Sequence, residues 1–125
     1  MQDTNINHCV TSLEKALKFH PQAAVIANPA SHHLDVALPL AQAGVHLLIE
    51  KPISNVTQGV LKVIDVCNAR GITLMVGYNL RFLPSLQRFS ELLEEKRVGQ
   101  VLSVRAEIGQ FLPSWRPNSD YRQTV

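Results

Sequence analysis

Three short groups of polar residues each follow an apolar run, and one of them carries a lysine that is well placed for chemistry. The groups are Asn28-Pro29, Glu50-Lys51-Pro52 and Tyr78-Asn79. Lys51 directly precedes a proline, which leaves its backbone little conformational freedom. A cation fixed in this way can stabilise a negatively charged oxygen, such as an alkoxide.

Polar residues at strand ends also have a purely structural interpretation, because a strand at the surface must end in a turn. The pattern alone leaves both interpretations open. The cation at position 51, fixed after a buried run, favours a functional site.

The elements that must position these groups follow from the hydrophobic pattern. Apolar runs alternate with segments of helical period, which predicts a parallel sheet with crossover helices. Strands are predicted at residues 23–27, 45–49 and 72–76. Their unbroken apolar character is typical of strands covered on both faces.

Several helix ends are also predicted from single residues. Thr11 and Glu14 have the spacing of a capping box, which predicts a helix at about residues 12–20. Ser31 is predicted to cap the second helix, which ends at Gly44, and Gly71 to end the third.

The hydrophobic pattern changes in the last third of the chain. A fourth helix is predicted from Pro84, since proline suits the first turn of a helix. After Gly99, apolar and polar residues alternate from Leu102 to Ile108. This alternation predicts a strand of a second sheet, with one face exposed to solvent.

Parallel strands bring their carboxyl ends to one edge of an open sheet, and ligands bind outside that edge. The sequence therefore predicts that Asn28, Lys51 and Asn79 line one crevice.

Composition excludes several classes of protein. The chain has 125 residues, of which 46% are hydrophobic and 18% charged, so it can build a core. Its net charge of +2 comes from scattered basic residues, and we expect no nucleic-acid partner. Its two cysteines indicate neither a disulfide framework nor a metal site. No signal peptide or membrane span is evident, and we expect a soluble, cytoplasmic protein.

Three sequence runs resemble the glucose-fructose oxidoreductase and inositol dehydrogenase (Gfo/Idh/MocA) family. The runs are Ala-Val-Ile-Ala-Asn-Pro with His32 and His33 after it, Ala-Gly-Val-His-Leu-Leu-Ile-Glu-Lys-Pro, and Leu-Met-Val-Gly-Tyr-Asn-Leu-Arg-Phe. The segment at residues 98–106 and the pair Trp115-Arg116 continue the match.

The resemblance implies an α/β protein, with part of a dinucleotide-binding Rossmann domain at residues 1–99 and the start of a substrate and oligomerisation domain at residues 100–125. It also implies NAD(P)-dependent hydride transfer to or from a sugar, cyclitol or similar alcohol.

The resemblance further assigns roles to single residues. Lys51 is implied as the catalytic lysine, and the Lys51–Pro52 peptide bond can be cis. Arg81 is implied at the substrate, with a structural ion pair as the alternative. Contacts to NAD or NADP are implied for Asn28, Pro29, His32, His33, Glu50, Lys51, Pro52, Asn79, Trp115 and Arg116. For the last two, an arm on a neighbouring subunit is an equal alternative. No metal site is expected, because His32 and His33 are adjacent and cannot share one helix face.

The chain departs from the family pattern in one important respect. It has no Gly-x-Gly-x-x-Gly turn, which places the pyrophosphate at a helix N-terminus. We therefore expect a fragment of a longer family member, with weak or absent cofactor binding by itself. The bare strand edge left by the missing strands predicts a homo-oligomer or pairing with a complementary fragment. The alternative to an oxidoreductase is a non-catalytic binding or oligomerisation module.

Overall fold

The computed structural model describes residues 8–111 and Ser114. The chain divides into two compact units, one ending at Gly77 and the other beginning at Tyr78. In the first unit the elements are α1 (Leu13–Leu17), β1 (Ala23–Ile26), a 3-10 helix (Ala30–His32), α2 (His33–Gln42), β2 (His46–Ile49), α3 (Val60–Arg70) and β3 (Leu74–Val76). The second unit contains a 3-10 helix (Asn79–Phe82) and α4 (Pro84–Glu94).

The three strands form one parallel sheet in the order β1-β2-β3. Ile26 of β1 pairs with Ile49 of β2, and Ile49 pairs with Val76 of β3. Because a helix connects each strand to the next on the same side of the sheet, the predicted α/β fold with a parallel sheet and crossover helices is confirmed.

The core lies between one face of this sheet and the helices α2 and α3. Alternate strand residues point into it, since side chains of a strand alternate between the two faces. The buried apolar residues are Ile26, Ala37, Leu40, Ala41, Val45, Leu47, Ile49, Val63 and Cys67. Residues Leu13 and Leu17 of α1 pack against the same cluster.

The opposite face of the sheet carries an exposed apolar row. Val25, Leu48 and Met75 are neighbours in the strand register and are exposed by 70%, 40% and 51%. The expectation of strands covered on both faces is therefore wrong for the described part of the chain. Uniformly apolar strands indicate what a sheet can bury, but they do not show that a covering layer is present.

Two predicted caps differ from the structure. The N-cap of α1 is Ser12, whose Oγ accepts from the Lys15 backbone N–H at 3.3 Å, and the helix ends at Leu17. Thr11 lies one residue too early for this role. Ser31 does not cap α2, because it lies inside the 3-10 helix that leads into α2. The predicted ends at Gly44 and Gly71 are confirmed, with φ angles of 84° and 64°.

In the second unit, Pro84 stands in the first turn of α4, as predicted. Residues 101–111 have no regular secondary structure, although their alternation predicts a strand. A strand forms only when hydrogen bonds to a neighbour satisfy its backbone, and this segment pairs with no other strand of the described chain. Within residues 8–111, no helix is both long and apolar enough to cross a membrane.

Candidate functional site

The candidate site lies at the carboxyl edge of the sheet in the first unit. Two backbone hydrogen bonds hold this edge together: the Glu50 N–H donates to the Ile26 carbonyl, and the Gly77 N–H donates to the Ile49 carbonyl, both at 2.8 Å. The segments that leave β1 and β2 therefore start side by side. This arrangement brings Asn28 and Lys51 to the same edge.

The segment after β2 presents a carboxylate and a cation to solvent. Glu50 and Lys51 are both exposed, and the Lys51–Pro52 peptide bond is cis. The Lys51 backbone N–H donates to Glu50 Oε2 at 3.2 Å. Within the described residues no carboxylate forms an ion pair with the Lys51 ammonium group, so its protons are available to a ligand.

The Glu50 carboxylate lies beside Gly77. A Cβ atom at position 77 would lie 3.4 Å from both Glu50 Oε1 and Oε2, at the short end of ordinary van der Waals contact. The carboxylate therefore lies close to the backbone at the end of β3.

His33 connects the two segments that leave β1 and β2. Its side chain is only 1% exposed. Its Nδ1 lies 2.9 Å from the Pro52 carbonyl oxygen, and its Nε2 lies 2.8 Å from the Asn28 carbonyl oxygen. The first residue of α2 thus ties together the backbone at two of the predicted site residues.

Asn28 offers a polar atom that the described residues leave without a partner. Its Nδ2 donates to the His32 carbonyl at 3.2 Å, whereas its Oδ1 is buried and accepts no hydrogen bond from them. A buried acceptor without a donor is costly, and a ligand hydroxyl or amide would satisfy it. Together with the Lys51 ammonium group, this atom fits the hydroxyl-rich ribose and amide end of a nicotinamide cofactor.

Two further predicted residues of the first unit are exposed. His32 Nδ1 lies 3.5 Å from Asp35 Oδ2, and Pro29 precedes the 3-10 helix that begins at Ala30. No groups of three or more histidine, cysteine, aspartate or glutamate residues within the described chain are close enough to hold a metal ion.

The other predicted site residues belong to the second unit or fall outside the described residues. Asn79 and Arg81 are exposed in the 3-10 helix of the second unit. Trp115 and Arg116 lie outside the described residues. Their predicted roles stay predictions.

Sequence reasoning missed the positions of His33 and Gly77 in this geometry. It treated His33 as one of two equivalent cofactor contacts, but His33, Ala37, Leu40 and Ala41 form the buried side of α2. That helical spacing was the signal that distinguishes His33 from the exposed His32. The close approach of Glu50 to Gly77 depends on strand register, and a single segment does not show register.

Comparisons with known proteins identify a family for this chain. Residues 1–78 match the model of the Gfo/Idh/MocA family, which is described as an oxidoreductase family with an NAD-binding Rossmann fold. This match covers more than half of the chain. It supports the predicted class of cofactor, a nicotinamide dinucleotide.

Two of the similar proteins are dehydrogenases. Levoglucosan dehydrogenase of Pseudarthrobacter phenanthrenivorans is 32% identical over 96 residues, which are 75% of this chain and 24% of that enzyme. Trans-1,2-dihydrobenzene-1,2-diol dehydrogenase of Xenopus tropicalis is 34% identical over 110 residues, which are 86% of this chain and 33% of that enzyme.

A solved structure shows the same fold. The WlbA dehydrogenase of Bordetella pertussis, in complex with NADH and UDP-GlcNAcA, is 29% identical with a TM-score of 0.69 over 73% of this chain and 27% of that one. The chain spans about a quarter to a third of the length of these relatives. By the family match, the shared fold and the residues at the sheet edge, this chain belongs to the Gfo/Idh/MocA oxidoreductase family.

Proposed function

We propose that this chain forms the nicotinamide-binding and lysine-bearing part of an NAD(P)-dependent oxidoreductase. The reaction is hydride transfer between nicotinamide and a sugar, cyclitol or similar alcohol. The observation that carries this proposal is the shared sheet edge after β1 and β2, where Asn28, whose Oδ1 has no partner among the described residues, and the exposed residue Lys51 both follow the strands. The proposed dinucleotide-binding part extends over residues 1–99, and the substrate part begins at residue 100.

In this proposal, the residues of the first unit have separate roles in binding and catalysis. Asn28 Oδ1 accepts a hydrogen bond from the cofactor. The backbone around Pro29 and Pro52 forms the surface against which the cofactor packs. Lys51 accepts the proton of the reacting hydroxyl when its amine is neutral, or stabilises the alkoxide as an ammonium group. The nicotinamide, when bound, supplies the hydride acceptor or donor.

The nature of the relatives supports the substrate class. Levoglucosan dehydrogenase and D-xylose 1-dehydrogenase are both named for sugar-like alcohols, at 32% and 34% identity to this chain. The two cysteines, exposed Cys9 and buried Cys67, are free. Free thiols suit a reducing compartment, which favours a cytoplasmic oxidoreductase.

A chimera tests the catalytic role of Lys51. Residues 1–125 replace the matching segment of levoglucosan dehydrogenase, and turnover and NADH affinity are measured for the chimera and its Lys51→Ala and Lys62→Ala variants. Lys62 is an exposed lysine on α3 and serves as the control. We expect Lys51→Ala to abolish turnover while NADH still binds. Turnover equal to that of the Lys62→Ala variant would refute the role of Lys51.

A second candidate function, a non-catalytic binding or oligomerisation module, is favoured by the apolar row Val25, Leu48 and Met75. Within the described residues, the outer edge of β1 also pairs with no strand. Such an edge is a template for association with another chain. Cofactor binding distinguishes the two functions, because a pure oligomerisation module would not need Asn28 Oδ1 or the Lys51 ammonium group.

A further inference from the structure

The segments that follow β1 and β2 share few backbone contacts beyond the sheet. The last backbone hydrogen bond between them runs from the Glu50 N–H to the Ile26 carbonyl, at 2.8 Å. Within the described part of the chain, no backbone hydrogen bond connects residues 27–29 with residues 51–53. The relative position of these two segments beyond the sheet therefore depends on side-chain contacts.

The His33 ring supplies such a contact on both sides. Its Nδ1 lies 2.9 Å from the Pro52 carbonyl oxygen, and its Nε2 lies 2.8 Å from the Asn28 carbonyl oxygen. Among the described residues, neither carbonyl has another hydrogen-bond partner. Whichever ring nitrogen carries a proton donates to the carbonyl that it faces.

The ring is mounted on a regular element of the fold. His33 is the first residue of α2, and its side chain is buried. Ala37, Leu40 and Ala41 are the other buried residues of this helix and belong to the core. A polar ring is costly to bury in such surroundings unless it forms hydrogen bonds. The carbonyl contacts therefore account for a histidine at this position, and the packing of α2 fixes where the ring meets them.

We propose that His33 is a positioning residue for the candidate site. Its ring, fixed on α2, sets the distance between the backbone of Asn28 and that of Pro52. Asn28 carries the side-chain acceptor Oδ1, and Lys51 directly precedes Pro52. This distance therefore governs how the Asn28 and Lys51 side chains lie relative to each other. The importance of the spacing for a cofactor rests on the proposed function, whereas the spacing itself is a property of the unliganded chain.

Three variants at position 33 separate the polar contacts of the ring from its volume. Glutamine has an amide nitrogen as many bonds from Cβ as Nε2 of histidine, and asparagine has one as many bonds from Cβ as Nδ1. His33→Gln therefore retains a donor for the Asn28 carbonyl, and His33→Asn retains one for the Pro52 carbonyl. His33→Leu fills a similar volume and retains neither donor.

Amide hydrogen exchange at the two ends of the β1–β2 pair measures the effect without cofactor. The Glu50 N–H donates to the Ile26 carbonyl at the carboxyl end, and the His46 N–H donates to the Gln22 carbonyl at the amino end, at 3.0 Å. Loss of a positioning contact at the carboxyl end speeds exchange of the Glu50 amide relative to the His46 amide. Loss of overall stability speeds both.

Val63→Ala is the control for overall stability, because Val63 is a buried core residue of α3 that lies outside the candidate site. In the full chain, we expect the ratio of Glu50 exchange to His46 exchange to rise about tenfold in His33→Leu. We expect a rise of about threefold in His33→Gln and His33→Asn, and a change of less than about twofold in Val63→Ala.

A ratio in His33→Leu no higher than in Val63→Ala, or no higher than in the two polar variants, would overturn the proposal. If His33→Leu does not fold, the polar variants decide, since ratios in both that do not exceed the ratio in Val63→Ala would overturn it.

The positioning role and the proposed function can fail separately. Turnover of the Lys51→Ala chimera equal to that of the Lys62→Ala chimera would refute the catalytic role of Lys51, but it would leave the exchange ratios of the unliganded chain intact. An exchange ratio in His33→Leu equal to that of Val63→Ala would refute the positioning role and leave the proposed oxidoreductase intact.

Discussion

At the scale of single residues, the candidate site is defined by polar groups that have no hydrogen-bond or ion-pair partner among the described residues. Asn28 Oδ1 has no partner among the described residues, and the Lys51 ammonium group forms no ion pair with them. Gly77 leaves room for the Glu50 carboxylate. The site is therefore defined by open hydrogen-bonding capacity as much as by the residue types that the sequence displays.

Replacing Gly77 tests this packing. In Gly77→Ala we expect the new methyl group to contact the Glu50 carboxylate, because its Cβ would lie 3.4 Å from both oxygens. The Lys51 amide donates to Glu50 Oε2, so its NMR signal should shift. Stability should change by less than about 0.5 kcal/mol, since the carboxylate is at the end of an exposed side chain.

Gly71→Ala is the matched control for that variant. Gly71 has a φ angle of 64° and no atom within 4 Å of an added Cβ, so the cost there is backbone strain alone. We expect a loss of about 1 kcal/mol in the free energy of unfolding by urea, with no shift of the Lys51 amide. An equal shift of the Lys51 amide signal in Gly77→Ala and Gly71→Ala would contradict the contact between Gly77 and Glu50.

At the scale of elements, α3 contributes its buried side through Val63 and Cys67. Burial raises the pKa of the Cys67 thiol, because the thiolate is poorly solvated inside the core. A thiol with a raised pKa reacts slowly, since the thiolate is the nucleophile. Cys9 is exposed and shows no such burial.

We therefore expect one fast and one slow thiol in the folded chain with a disulfide reagent at about pH 8. The Cys9→Ser variant should retain only the slow phase. The raised pKa also means that the unfolded chain loses its proton first, so stability should fall as the pH rises above about 8.5. A fast reaction in Cys9→Ser would show that Cys67 is not buried as described.

The strands and the longer helices could be predicted from sequence because their signals are local. Gly44 and Gly71 end their helices as predicted, and Pro84 begins α4. The alternation from Leu102 to Ile108 indicated a strand, but a strand needs a partner, and the sequence of one segment does not supply it. Hydrophobic periodicity indicates the secondary structure that a segment can adopt. Hydrogen bonding to a neighbouring strand determines whether a strand actually forms.

The candidate site could be predicted in part for the same reason. Asn28 and Lys51 follow parallel strands, and strand direction alone brings them to one edge. The burial of His33 and its two carbonyl contacts depend on how α2 packs on the sheet. Asn79 follows β3 but belongs to the second unit, so its predicted place in the crevice stays a prediction.

At the scale of the whole molecule, the exposed apolar row predicts self-association. We expect light scattering at micromolar concentration to show a dimer, and Val25→Lys to shift the mass toward a monomer, because a charge would be buried at the interface. Leu61→Lys is the control, since Leu61 is 73% exposed on α3 and lies outside the row. A monomeric unaltered chain would contradict this prediction.

The most direct test of the shared sheet edge is an NMR titration of the chain with reduced nicotinamide mononucleotide, with AMP as the matched control. The chain lacks a glycine-rich pyrophosphate turn, so weak binding at the nicotinamide end alone is expected. We predict amide shifts at Asn28, Glu50, Lys51 and Gly77 with the nicotinamide ligand and none with AMP. Shifts confined to other parts of the chain, or equal shifts with both ligands, would contradict the placement of Asn28 and Lys51 in one nicotinamide site.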